Sequence, residues 1–242
     1  MQTLIDCAPD ERLVIADIDN SGCEIWACQP SNDEPHGSPE PAPEPGLQVG
    51  PRDPSLEATV TWSESQRYRQ ENIILSEDRL SVHIEEDSVN DTVLADAFTS
   101  TGRWYWEVTL NGYAESSYNG IGVCADGQIT EMGPSFDGGV SDEHGGRISA
   151  YEEYVNGFSY SAGDTVGVIL DAARKKVWFI VQGMLVGGGH PVRGTGGISI
   201  DPTKARWAPC LNTSQGYRYR ANFGQEDWVY GQPTGFTIPH EE

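Results

Sequence analysis

The sequence predicts an all-β protein, a sandwich or a barrel of short antiparallel strands. Three observations carry this. From about residue 58 onward, short β-like runs recur at close spacing: ATVTW, IILS, LSVHIE, VLADAF, RWYWEVTL, GIGVCA, ISAYE, TVGVILD, KVWFIVQ, WAPCLN and YRYRANF. Between them lie turns drawn from 28 Gly and 15 Pro in 242 residues. Long amphipathic helical stretches are absent, and so is any internal repeat.

The chain reads as three segments: an N-terminal hairpin over 1–30, a linker over 31–54 and a sandwich domain over 55–238. In the first, RLVIADI (12–18) and CEIWACQ (23–29) flank the turn-rich Asp19-Asn20-Ser21-Gly22. A two-stranded hairpin is marginal alone in water, so it must dock on something. Leu13, Ile15, Ile25 and Trp26 are its candidate anchor residues. The run SNDEPHGSPEPAPEPG (31–46) reads as an extended, polyproline-like spacer.

In TGRWYWEVTL (101–110), Trp104, Trp106, Val108 and Leu110 alternate with Tyr105, Glu107 and Thr109. That period of two marks a strand with its tryptophans in the core, leaving only Tyr105 as a possible ligand contact. Gly163-Asp164 opens the next strong strand, the glycine turning the chain and the aspartate reaching neighbouring amides. Val166, Val168 and Leu170 share one face, as do Val177, Phe179 and Val181, and DAARKK (171–176) closes the two runs into a hairpin.

With 37 acidic and 15 basic side chains the net charge is −22. Residues 1–50 contribute −9 (ten acids, one base) and the rest −13 (27 acids, 14 bases). Such a surface repels nucleic acid and anionic lipid, so neither is expected as a partner. Cys7, Cys23, Cys28, Cys124 and Cys210 are odd in number and irregularly spaced, and all are expected as free or buried thiols. MQTLIDCAPDERL lacks a basic n-region, so no signal peptide is read, and no apolar run is long enough to cross a membrane. The expected location is virion-associated or cytoplasmic.

Several motifs occur in an order that resembles the SPRY domain family. They are Thr101-Gly102-Arg103-Trp104-Tyr105-Trp106-Glu107-Val108, then Gly120-Ile121-Gly122-Val123, then Gly163-Asp164 through Leu170-Asp171. Lys176-Val177-Trp178-Phe179-Ile180-Val181-Gln182-Gly183, Pro209-Cys210-Leu211 and Ala221-Asn222-Phe223-Gly224 follow, with ILSEDRLSVH and VLADAF upstream. The resemblance covers roughly 56–236 and is nearest to stand-alone SPRY domains of bacteriophage and bacteria. It implies a bent antiparallel β-sandwich of concanavalin-like type acting as a protein-interaction module. Two departures are Gln182-Gly183 in place of the usual Asn-Gly and the long excursion 187–206.

No catalytic constellation emerges. The five histidines (His36, His83, His144, His190, His240) are dispersed, no G-x-S-x-G elbow occurs, and the glycine-rich 183–197 lacks a Gly-Lys-Ser/Thr. Neither metal, cofactor nor enzymatic activity is expected. By the resemblance, recognition falls to loops at one end of the sandwich, here Phe136, Tyr151, Tyr154, Thr213, Ser214 and Gln215. Tyrosine and serine suit such a surface. Arg218 and Arg220 share a face and can pair internally or anchor an acidic partner. The expected partner is a protein or an assembly subunit, such as a virion component; a glycan is the alternative.

Overall fold

The computed structural model describes residues 11–18, 24–30, 47–51, 53, 55–68, 72–84, 91–112, 119–126, 138–141, 147–150, 154–156, 160–213 and 216–241. The chain divides into two compact units, Met1–Pro45 and Gly46–Glu242. In the first, β1 (Glu11–Ile18) and β2 (Glu24–Pro30) form an antiparallel hairpin. Leu13 pairs with Cys28 and Ile15 with Trp26; past a bulge, Asp17 pairs with Ile25. The spacer read over 31–46 lies outside the described residues.

The second unit is built from β3 (Val49–Gly50), β4 (Trp62–Tyr68), β5 (Ile73–Leu75), β6 (Ser81–Ile84), β7 (Asp91–Ala95) and β8 (Arg103–Gly112). There follow β9 (Asn119–Ala125), β10 (Gly138–Ser141), β11 (Arg147–Ala150), β12 (Tyr154–Asn156), β13 (Thr165–Asp171) and β14 (Lys176–Val181). The last are β15 (Met184–Val186), β16 (Gly189–His190), β17 (Thr195–Gly196), β18 (Ile198–Ser199), β19 (Trp207–Thr213), β20 (Arg218–Asn222) and β21 (Gln232–Pro233). One sheet has seven strands in the order β12-β11-β10-β9-β19-β7-β4. The other has eight, in the order β15-β14-β13-β8-β20-β6-β5 with β18 beside β14. Neighbouring strands of both sheets pair antiparallel, and one apolar cluster fills the space between the sheets. This is the β-sandwich the sequence predicts.

Alternation decides which side chains enter that cluster. Trp104, Trp106, Val108 and Leu110 of β8 point inward with Val166, Val168 and Leu170 of β13 and Val177, Phe179 and Val181 of β14. The facing sheet contributes Val93, Ile121, Val123, Leu211 and Trp207. Full burial of side chains this large contributes about 1.5–3 kcal/mol each. Turn chemistry follows the sequence too. Gly163 sits at φ +96°, and Asp164 accepts the Ser161 amide at 2.8 Å. Gln182 and Gly183 both adopt positive φ, 51° and 76°, which suits the tight β14–β15 hairpin.

Three expectations are corrected. ATVTW enters the ladder only at Trp62, because the side chain of Asp96 takes Thr61 instead, accepting its amide and its hydroxyl at 2.9 Å each. Cys124 and Cys210 are not free thiols: they form a disulfide. Their strands β9 and β19 are neighbours, with Cys124 opposite Ala208 and Cys210 opposite Gly122, a diagonal that 86 residues of separation hide. Tyr105 is no ligand contact, being fully buried on the outer face of the eight-stranded sheet.

Pro209 lies inside β19, where a proline is usually unwelcome. The ladder with β7 begins only at Cys210, and contact with the preceding segment resumes at the Thr99–Trp207 bridge. The residue lacking an N–H therefore falls in the gap.

Candidate interaction site

Half of the eight-stranded sheet's outer face is covered. Tyr105, Ile169, Trp178 and Ile180 form an apolar cluster with Phe236, and Trp228 and Tyr230 pack against it. Glu107, 2% exposed, holds the cover in place. It accepts the Val229 amide at 2.8 Å, the Tyr230 amide at 2.9 Å and the Tyr105 hydroxyl at 2.6 Å. Burial, and then the adjacent Glu107 carboxylate, push the Tyr105 phenol far above its ordinary pKa. The excursion 187–206 caps Trp178, whose indole N–H donates to the Gly188 carbonyl at 3.1 Å.

The sandwich has two distinct ends. At one, Arg103, Asp171, Lys176 and Ser199 lie level across four strands, and Lys175 Nζ stands 3.7 Å from the Trp207 ring centre. Its cations are engaged: Arg103 and Arg174 pair with buried Asp171, Arg206 with Asp126, and Lys176 donates to Ser199 Oγ at 2.8 Å. At the other end β6, β8 and β19 terminate and β9 and β20 begin. Arg218 lies opposite His83 and Gly112, Thr213 lies opposite Asn119, and the Gly216 amide donates to the Ile84 carbonyl at 3.0 Å.

Beside this second end, the outer face opens into a groove of about 310 Å³. Ile74, Leu75, His83, Asn111 and Arg218 line it, together with Ser76, Ser81, Val82 and Tyr219. Ile74, His83 and Arg218 stand side by side because β5, β6 and β20 place them in register. Ile74 is 46% exposed, unusual for an isoleucine in a paired strand. Among the described residues, buried His83 Nδ1 has no hydrogen-bond partner.

Arg220, two residues along the same face, is fully occupied. It pairs with Asp78 at 3.1 Å and with Glu226 at 2.5 Å, and donates to Ser81 Oγ at 3.2 Å. Hydrogen bonds from the Ser76 hydroxyl and the Leu80 amide, joined by Arg220, hold the Asp78 carboxyl down at about 2. Arg218 is exposed, and among the described residues no ion pair or side-chain hydrogen bond engages its guanidinium. Internal pairing therefore holds for Arg220 and not for Arg218.

Of the loop residues expected to bind, Thr213 and Tyr154 are among the described residues. Thr213 ends β19 at the groove end, with Ser214 and Gln215 next in sequence and outside the described residues. Phe136 and Tyr151 also lie outside them; among the described strand ends, Ala150 aligns with Gly138 and so with Val123. Those strand ends lie toward Trp207, at the opposite end from Thr213. Tyr154 begins β12 opposite Ser149. The sequence names no residue of the groove as a site apart from Arg218; its only other cue is Ile74 in a strand too short to bury both faces.

Among the described residues no helix is long and apolar enough to cross a membrane, and no group of three His, Cys, Asp or Glu is placed to hold a metal ion. No protein-family model matches the chain, and no curated protein matches it. Solved structures do. The crystal structure of the TRIM65 PSpry domain superposes with a TM-score of 0.51 at 15% identity, covering 67% of this chain and 89% of that one. The SPRY domain of human HERC1 gives a TM-score of 0.49 at 12% identity, covering 66% and 96%. The likeness to the TRIM65 domain is one of fold, and it coincides with the motif order read from the sequence. The main body of this chain is a SPRY-like β-sandwich.

Proposed function

We propose that the protein is a non-catalytic interaction module that binds a protein segment at the groove end of its sandwich. The observation that carries this is the open groove beside Ile74 and Arg218, on a face whose other half is covered. Preformed loops and strand ends on a rigid sandwich make a binding surface with little ordering cost. Thr213 ends a strand at this surface, with Ser214 and Gln215 next in sequence, and Phe136, Tyr151 and Tyr154 are further candidate contacts. In the same reading the N-terminal hairpin, through Leu13, Ile15, Ile25 and Trp26, anchors the module to a large assembly such as a virion, and no cofactor takes part.

The test is affinity capture with the full chain and with Ile74→Glu, alongside a glycan array. Ile74 is on the surface, so the variant melts within about 1 °C of the parent. A protein retained by the parent and lost by the variant supports the reading. Glycan binding insensitive to Ile74→Glu overturns it in favour of carbohydrate recognition. For the anchor, deleting residues 1–46 abolishes incorporation into the native assembly while leaving the sandwich folded by circular dichroism. Unchanged incorporation removes that part of the proposal.

A further inference from the structure

We infer that the groove takes a partner segment presenting one carboxylate, from an aspartate or glutamate side chain, next to an aliphatic side chain. This rests on the reading above that the groove end is the recognition surface, and adds the chemistry of what it recognises.

Arg218 and Arg220 share a strand, a face and a charge, yet their surroundings differ. Arg220 has two carboxylates, Asp78 and Glu226. Arg218 has none among the described residues, in a chain whose acids outnumber its bases by 37 to 15. A guanidinium is a planar fork that matches a carboxylate with two parallel hydrogen bonds. Exposed Asn111 and half-buried His83 stand beside it. On the other side of His83, exposed Ile74 offers apolar area and no charge. The groove thus has one cationic and one apolar subsite about two strand spacings apart, roughly 10 Å. Side chains two residues apart in an extended peptide lie on one face, about 7 Å apart at the backbone, and reach both.

Charge selects this occupant over a polyanion. A nucleic-acid strand brings successive phosphates toward a chain of net charge −22 with one local cation to meet them. A single carboxylate flanked by an aliphatic group asks for one cation and avoids the rest.

The test is selection of random peptides, displayed on a carrier, against the full chain, its Arg218→Glu and Arg218→Gln variants, and Ile74→Glu. The parent is expected to enrich peptides with Asp or Glu two residues from Leu, Ile or Val. Arg218→Glu weakens the best acidic peptide about tenfold or more and moves the preference to Lys or Arg, whereas Arg218→Gln weakens it without reversal. Ile74→Glu removes the aliphatic preference. Enriched peptides with no acidic preference, or with affinity indifferent to Arg218→Glu, overturn the carboxylate assignment and leave the interaction module standing. Failure of the folded parent to enrich any peptide overturns both.

Discussion

Over β8, β13 and β14 the outer face of the eight-stranded sheet is sealed, whereas over β5, β6 and β20 it lies open. The backbone is equally regular in both halves, so side chains make the difference. The sealed half points Tyr105, Ile169, Trp178 and Ile180 outward, and apolar area of that size draws in a cover. The chain supplies it from its own C-terminal segment and from the excursion after β15. The open half points His83, Arg218 and Arg220 outward, polar groups that draw in no apolar cover among the described residues, Arg220 being held instead by Asp78 and Glu226. Ile74 is the exception, an apolar residue left among polar ones. The lesson is that an outward apolar stripe followed by a long segment signals internal closure, while an isolated one signals a site.

The largest effect follows from unfastening the cover. Glu107→Ala leaves two part-buried amides and a buried phenol without their acceptor. Each such loss costs about 1–3 kcal/mol, and the three are coupled, so destabilisation of about 3–4 kcal/mol is expected by denaturant titration. Glu107→Gln keeps one oxygen and loses about half as much. Amides of Val229 and Tyr230 should exchange with solvent faster in both variants, while binding at the groove is unchanged. A Glu107→Ala protein as stable as the parent would break the distinction between sealed and open halves.

The second fastening is steric. At Gly197 (φ +75°) a Cβ would stand 2.5 Å from Trp178 Cε2, so Gly197→Ala combines backbone strain with displacement of the indole. Gly183 (φ +76°) has open space around its missing Cβ, so Gly183→Ala carries the strain alone. About 1 kcal/mol is expected for Gly183→Ala and about 2–3 kcal/mol for Gly197→Ala. Equal losses at the two sites would show that the loop does not press on Trp178. A red shift of tryptophan emission should accompany Gly197→Ala only.

What the sequence makes legible divides along the same line. Strands that bury one face announce themselves by alternation, as in RWYWEV, and the β13–β14 hairpin follows from Val166 through Val181. The polar strand β4 (WSESQRY) and the glycine-containing β10 (GGVS) have no such stripe, since edge position and pairing made them strands. The Cys124–Cys210 bond, and the different partners of Arg218 and Arg220, depend on which strands are neighbours. Asp78 lies 142 residues from Arg220, and no local pattern links them. That Ala150 and Thr213 fall at opposite strand ends likewise depends on strand direction, which pairing settles and residue type does not. Loop composition therefore marked candidate surfaces without saying which of them adjoin.

The smallest effect lies at the rim of the open half, where Asp78 ties the β5–β6 turn to Arg220. The carboxyl is held at about 2 in the folded chain against an ordinary 3.8, so folding favours its ionised form. Stability from this source is complete above about pH 4 and is lost as pH falls through the folded value near 2. The gap in melting temperature between the parent and Asp78→Asn should be small at pH 6 and close as the solution is taken from pH 4 to pH 2. Because Asp78 and Arg220 are largely solvent-exposed, added salt should shrink the Arg220 share of the gap. The hydrogen bonds from Ser76 and Leu80 are local and less easily screened, so part of the gap survives at high salt. A gap that widens on acidification would mean that Asp78 is not stabilised as a carboxylate. The open half would then lack the ionic staple that separates Arg220, a structural cation, from Arg218, a recognising one.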